Sequence, residues 1–430
     1  MRTVLQRLNK EQLRRHSEES KGMATRKQET RALAKEAREK AATYGTDIDL
    51  EAFSPETEAH PYLEDLSAFS RNEREQMLKA GVDMAAENRS GTFIQRDLSV
   101  VHSRSTQEGM EIMDIDQARE KYGWLENYWW KAVAVDMDKY TARAELHQEH
   151  GYFIRSLPGA KSIYPLQACL YLAEDNLAQD VHNIIIAEEG SELHIITGCA
   201  TAPHVRSGLH VGISEFYVKK GAKLSFTMIH NWAENMAVRP RSATIVEEGG
   251  LFLSNYICMQ PVATLQMYPV THLVGEGSTA RYNSILVATP GSEMDVGSRV
   301  LLKARATRAE VIARAITNGG KIIARGHIRG EVPGIKAHLE CKGLILSDEG
   351  IIHAIPELEG HRRDVDLSHE AAVGKIAQEE VEYLMARGLS QEEATATIVR
   401  GFLHVEIEGL PPELKAEMDR AVEISEKSLL

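Results

Sequence analysis

Between about residues 151 and 365 the chain is a succession of short runs in which β-branched and other apolar residues alternate with polar ones, each run closed by a glycine turn. The turns recur in related form: "AEEGSEL" at Gly190, "VKKGAKL" at Gly221, "VEEGGLF" at Gly249, "GEGSTAR" at Gly277, "TNGGKII" at Gly319 and "SDEGIIH" at Gly350. Their successive spacings are 31, 28, 28, 42 and 31 residues. Strands this short cannot each bury an apolar face alone. At a near-constant period, with hardly any helix between them, they predict stacked coils in which each coil covers its neighbour. The expected fold class is therefore mainly β, with a parallel β-helix core over residues 151–367. A β-sandwich also has short strands, but nothing in it requires the same acidic glycine turn about every 30 residues.

The flanks follow other periods. Residues 1–90 are polar and charge-rich at helical spacings, as in "EQLRRHSEESKGMATRKQETRALAKEAREKAATYG", and predict exposed helices and a mobile arm. Residues 91–150 form a mixed segment whose "YGWLENYWWKAVAVDMDKYTARAE" holds three of the four tryptophans, a packing cluster rather than a binding face. From Ser368 the pattern is read as helical. Ser368 is placed as the cap, Glu370 in the first turn, Val373, Ile376, Ala377, Val381, Leu384 and Met385 on one face, and Gly388 at the stop. Ser390 and Glu393 make a capping box for the next helix, and Pro411 and Pro412 open a last one, so that 368–430 is expected to be a helical domain.

A formal net charge of -13 argues against nucleic acid as the main ligand, because phosphate binding leaves a basic footprint. The N-terminus lacks the apolar stretch of a secretory signal, and no run approaches the roughly 20 apolar residues of a membrane span. A cytoplasmic protein without a membrane partner is expected. Cys169, Cys199, Cys258 and Cys341 include no C-x-x-C pair and are expected to be reduced. There is no phosphate-binding G-x-x-x-x-G-K-[ST]: position 369 before Gly374-Lys375 is histidine, and position 315 before Gly320-Lys321 is alanine. The chain should not hydrolyse ATP itself.

Six segments in order, "SGTFIQRDLSVVHS", "GYFIRSLPGAKSIYPLQA", "IIAEEGSELHIITGCATAPHVRSGLHVGISEF", "HNWAEN", "HLECKGLILSD" and "SHEAAVGKIAQEEVEYLMARGLS", resemble the SufB/SufD scaffold subunits of the SUF system for iron–sulfur cluster assembly, most of all the short archaeal members. The similarity covers roughly residues 80–430. It implies a right-handed parallel β-helix with helical N- and C-terminal parts, and a non-enzymatic scaffold that builds a transient cluster, of the [4Fe-4S] type, for delivery to apo iron–sulfur proteins. It also implies a SufC-type ABC ATPase as partner, docked on the C-terminal helices.

In SufB-like members a late cysteine and a His-Glu pair form the region that holds the nascent cluster. Cys341 and Glu370 stand 29 residues apart here, with His369 beside Glu370. Thiolate suits iron in clusters, while imidazole or carboxylate gives a more labile bond that suits release. Either His369 or Glu370 can be the ligand, the other supporting it. Cys199 of "TGCATAP" matches the sulfur-accepting cysteine of SufB. The onward polar route departs from the family pattern, with His230 in place of the usual glutamine and Tyr171 in place of arginine; this points to free sulfide as an alternative sulfur source. Cys169 and Cys258 match no family position and are read as buried small hydrophobes or extra cluster ligands. Carrying Cys341, His369 and Glu370 at once, the chain is expected to form a homodimer through the β-helix end, with the site at the two-fold axis. Two rivals are a purely structural SufD-like subunit, against which Cys341 speaks, and a carbohydrate-active β-helix enzyme, against which the 6% aromatic content speaks.

Overall fold

A computed structural model describes residues 26–403 apart from 86, 87 and 149. One sheet is built from β4 (Tyr152–Ser156), β6 (Leu177–Ala187), β8 (Ser207–Val218), β10 (Asn235–Val238) with β11 (Arg241–Val246), β13 (Thr264–Met267) with β14 (Val270–Leu273), β16 (Glu293–Leu302), β18 (Lys321–Gly330) and β20 (Ile351–Gly360). The facing sheet contains β5 (Leu166–Leu172), β7 (Glu192–Thr201), β9 (Lys223–Asn231), β12 (Leu251–Cys258), β15 (Thr279–Ala288), β17 (Arg308–Thr317), β19 (Ile335–Ile345) and β21 (Val365–Lys375). The chain passes from sheet to sheet and pairs in parallel with the coil before and the coil after, giving a parallel β-solenoid of about 8 turns. Its first coil is closed by antiparallel pairs. Strand β1 (Gly91–Arg96) joins β5 on one side and β2 (Ser99–Ser105) on the other, and β3 (Met110–Asp114) runs against β4.

The glycine turns fall in two columns rather than one. Gly190, Gly221, Gly249 and Gly277 stack at one corner with φ between +64° and +70°. The N–H of each donates to a carbonyl of the next coil, on Lys220, Glu248, Glu276 and Arg305 respectively, at 2.8 to 3.0 Å. Gly319 and Gly350 turn the chain at the opposite corner, which is why the 42-residue spacing is one coil and a half. Ala306 continues the first column at φ +57°, its N–H donating to Gly334 at 3.1 Å. An alanine in this conformation escapes a search for glycine.

Inward-facing residues of both sheets form the main core, from Phe93 and Tyr152 at one end to Leu339 and Cys341 at the other. The outer face of the first sheet is covered by α1 (26–37), α3 (Ile115–Lys121), α4 (Lys139–His147) and the tryptophan segment. Trp124, Trp129 and Trp130 pack there, with Trp129 stacked on His182 at 3.9 Å. The fully buried carboxylate of Glu215 ties this layer down. It accepts from the backbone N–H groups of Trp130 (2.7 Å), Ala132 (2.6 Å) and Val133 (3.1 Å), pairs with His182 Nε2 at 2.9 Å and accepts from Tyr217 at 3.2 Å. On the other sheet, α2 (Arg71–Lys79) covers the early coils and α6 (Gln391–Leu403) the late ones, Val399 joining a row that includes Ile229, Ile257 and Ile285. Among the described residues no helix is long and apolar enough to cross a membrane.

One expected element is different. Ser368 does not cap a helix: the run from Val365 to Lys375 is strand β21, and helix α5 starts only at Gln378 and ends at Met385. Eleven residues of β21 pair in parallel with β19, and Val365 and Leu367 pack on the core with strand alternation. This non-local pairing prevails over a sequence equally compatible with a helix. Ser390 and Glu393 do form the capping box of α6, with bonds of 2.8 and 3.2 Å. The helix expected at Pro411 and Pro412, and the first 25 residues of the N-terminal region expected over 1–90, lie outside the described residues.

Candidate functional site

Strands β19 and β21 end the second sheet, and the alternation of "HLECKG" fixes what each face presents. Leu339 and Cys341 point inward and are buried, while His338, Glu340 and Lys342 point outward. Cys341 is 2% exposed and sits in register between Ala313 of β17 and Ala371 of β21. Burial first, then the neighbouring Glu340 charge, pushes its thiol up to about 11. It is therefore protonated at neutral pH.

His369 and Glu370 are both exposed on β21, on opposite faces. His369 pairs with Leu339 and has the inward parity of Val365 and Leu367, so it shares the face of Cys341 two positions along the neighbouring strand. Glu370 pairs with Glu340 and shares the outer face. Lys342 bridges the two carboxylates, at 3.1 Å to Glu340 and 3.2 Å to Glu370, and Arg314 also binds Glu340. His338 joins them: His338, Glu340 and Glu370 each bring one ligand atom within 4.8 Å of the others. His338 Nδ1 and Ser368 Oγ are hydrogen-bonded at 2.9 Å. The 29-residue offset thus brings Cys341 and Glu370 to adjacent strands but to opposite sides of the sheet. His338 and Glu340 were missed by sequence reasoning, although their spacing from Lys342 by twos was the available signal.

Cys199 lies five coils further in. It is fully buried on β7 and in register with His230 of β9, which is in turn in register with Cys258 of β12. Burial, with Cys169 a smaller cause, raises the Cys199 thiol well above its ordinary value; burial pushes Cys258 up to about 12. His230 Nδ1 and Tyr256 OH are hydrogen-bonded at 2.8 Å, and Trp232 packs against both His230 and His210. Cys169 faces outward under α2, apart from this row, in the company of Phe69 and Met77. A neutral thiol enclosed by three coils differs sharply from the exposed, electropositive setting that makes a cysteine reactive.

Among the described residues both sheets end without a neighbouring strand, the first at β20 and the second at β21, and Ile351, Leu358 and Val373 are exposed on those last strands. The end of the solenoid thus sets an imidazole and a carboxylate on the terminal strand and a buried thiol one coil inside it, donor types of the kind that ligate thiophilic metals. Residues 170–402 match the family described as "SUF system FeS cluster assembly, SufBD core domain". The chain is 50% identical over 407 residues to an iron–sulfur cluster assembly SufBD family protein of Methanothermobacter thermautotrophicus (strain Winter), covering 93% of this chain and 99% of the relative. It is 53% identical over 358 residues to one from Archaeoglobus fulgidus (83% and 96%), and 33% over 342 residues to one from Staphylococcus haemolyticus (77% and 73%). The chain belongs to the SufBD family of iron–sulfur cluster assembly proteins.

Proposed function

We propose that this chain is the scaffold on which a nascent iron–sulfur cluster, of the [4Fe-4S] type, is assembled in the cytoplasm and passed to apo-proteins, in concert with a SufC-type ABC ATPase. The observation that carries the reading is the position of Cys341: a single thiol one coil inside an open end, beside a terminal strand that exposes His369 and Glu370. The cluster is cargo, so weak ligands suit it. His369, on the inner face, is the better placed to share a cluster with Cys341 of its own chain. Glu370, with His338 and Glu340, offers an oxygen-rich and nitrogen-rich outer face suited to incoming iron.

The edges of β20 and β21, unpaired among the described residues, favour a homodimer joined end to end, which would gather two copies of Cys341 and His369 around one axis. One chain alone offers a single thiolate there. Cys199 is the proposed sulfur acceptor only if the coils around it open; enclosed as it is, it favours free sulfide delivered to the site. The exposed Tyr383 and Met385 of α5 are the proposed contact for the ATPase.

The test is anaerobic co-purification with the ATPase and analysis of iron and sulfide, for wild type, Cys341→Ser, His369→Ala and mixed dimers holding one wild-type chain. Loss of most iron from Cys341→Ser, with labile iron in mixed dimers, is expected. Full occupancy in Cys341→Ser removes the scaffold assignment, and full, stable occupancy in mixed dimers removes the shared site. Unchanged ATPase binding by Tyr383→Ala/Met385→Ala moves the docking surface elsewhere.

A further inference from the structure

On the outer face of the first sheet, beneath the chain segment 42–44, lies a cavity of about 310 Å³ that cluster handling leaves unused. Its floor is one register row across four strands: Val270 on β14, Arg299 on β16, His327 on β18 and Glu357 on β20. Gln266, Tyr268 and Arg241 close one side, and Met137 and Asp138 another. The roof is pinned by Tyr44, whose ring meets Tyr268 edge-on at 5.2 Å and lies 4.2 Å from the Arg325 guanidinium.

The polar atoms of this lining are conspicuously unsatisfied. Arg241 Nη2, Gln266 Oε1, Tyr268 OH and Arg299 Nε are buried without a hydrogen-bond partner among the described residues. The remaining charges are accounted for: Asp138 holds Arg241 Nε at 2.8 Å, His327 Nε2 faces Glu359 at 2.7 Å, and Glu357 stands at the exposed rim. Arg299 forms no ion pair among the described residues. Buried polar groups are nearly always paired, and the guanidinium and phenol side chains that line this hollow are donors of the kind that recognise carboxylate and phosphate. The volume lies at the small end of ligand sites.

We propose that this cavity binds a small oxyanion, the carboxylate or phosphate group of a compact metabolite. Arg299, the Tyr268 hydroxyl and the free Nη2 of Arg241 hold the charge, and the Gln266 amide reads a neighbouring polar group. The site stands on the sheet face away from Cys341 and does not depend on the scaffold reading.

The experiment is isothermal titration calorimetry on the full chain with inorganic phosphate and, separately, malonate, at ionic strength held constant with chloride. Saturable binding of at least one probe is expected, at least tenfold weaker in Arg299→Gln, clearly weaker in Tyr268→Phe, and unchanged in Lys303→Gln, which removes an exposed nearby charge outside the cavity. The probe that binds tells phosphate from carboxylate as the natural group. Tyr268→Phe deletes one oxygen from a retained ring and carries the test if Arg299→Gln folds poorly. Absence of saturable heat with both probes, or equal affinity in both cavity variants and wild type, overturns the proposal.

Discussion

Cys341 in the isolated chain should resist alkylation at neutral pH and become reactive only in strong base. With its thiol at about 11, the thiolate fraction at pH 7.5 is about 3 × 10⁻⁴, against about 0.1 for a free thiol near 8.5, a deficit of roughly 300-fold. A more basic thiolate is the better nucleophile, by about 13-fold for this difference at a Brønsted slope of about 0.45. The net expectation is reaction with iodoacetamide about 20-fold slower than free cysteine, before any shielding by Leu339 and β21. The rate should climb about tenfold per pH unit up to about pH 10 and level off above about pH 11. Removing the second cause of the shift, in Glu340→Gln, should speed the reaction, because a like charge no longer opposes the thiolate. Peptide mass spectrometry after timed quenching reads each cysteine separately. Cys341 should lead, since Cys199 and Cys258 are more deeply buried and pushed further. A rate at pH 7.5 equal to that of free cysteine, or a plateau below pH 9, would refute the account of a thiol kept protonated by burial.

Glu215→Ala should cost about 3–5 kcal/mol, because three backbone N–H groups, Tyr217 and His182 lose one buried acceptor together; a loss below about 1 kcal/mol in urea unfolding would contradict that role. Ala306→Gly should stabilise by up to about 1 kcal/mol by relieving a positive φ in the turn column, and a destabilised variant would mean that the alanine methyl packs productively. Acid should weaken the fold early. His210, held down to about 3 by burial, and His230, held well below its ordinary value, stay neutral in the folded chain while the unfolded chain takes up protons near 6.5. Unfolded protein then binds more protons, so stability falls with falling pH, by about 1.4 kcal/mol per histidine between pH 7.5 and 5.5. His210→Gln should flatten that slope by about half of the pair's contribution in denaturation curves at the two pH values.

How far the sequence foretold this molecule depended on whether each constraint was local. A coil must turn at a fixed point, and a positive φ there selects glycine, so Gly190, Gly221, Gly249 and Gly277 announced the solenoid. Ala306 and the change of corner before Gly319 did not show, because they follow from stacking and not from the turn's own chemistry. The tryptophan segment was legible as packing, yet its anchor, Glu215, looks like any strand glutamate until three N–H groups from Trp130 to Val133 close on it. Ser368-His369-Glu370 has the local form of a helix start; only pairing with β19 makes it a strand. That error concealed the opposite facing of Cys341 and Glu370. Nothing local could reveal the cavity under Tyr44, since its roof and floor come from parts of the chain more than 200 residues apart.

A solenoid is held together like a zipper, each rung stabilised by the rung on either side, and the last rung has only one. Cys341 lies on the penultimate rung of its sheet, His369 and Glu370 on the terminal one. Such a stack frays from its free end, so β21 can peel away while the coils around Cys199 stay closed. Opening of that single interface exposes the Cys341 thiol and draws the imidazole and carboxylate off together. Whatever covers the end sets the fraying equilibrium, and with it how often the Cys341 thiol meets solvent.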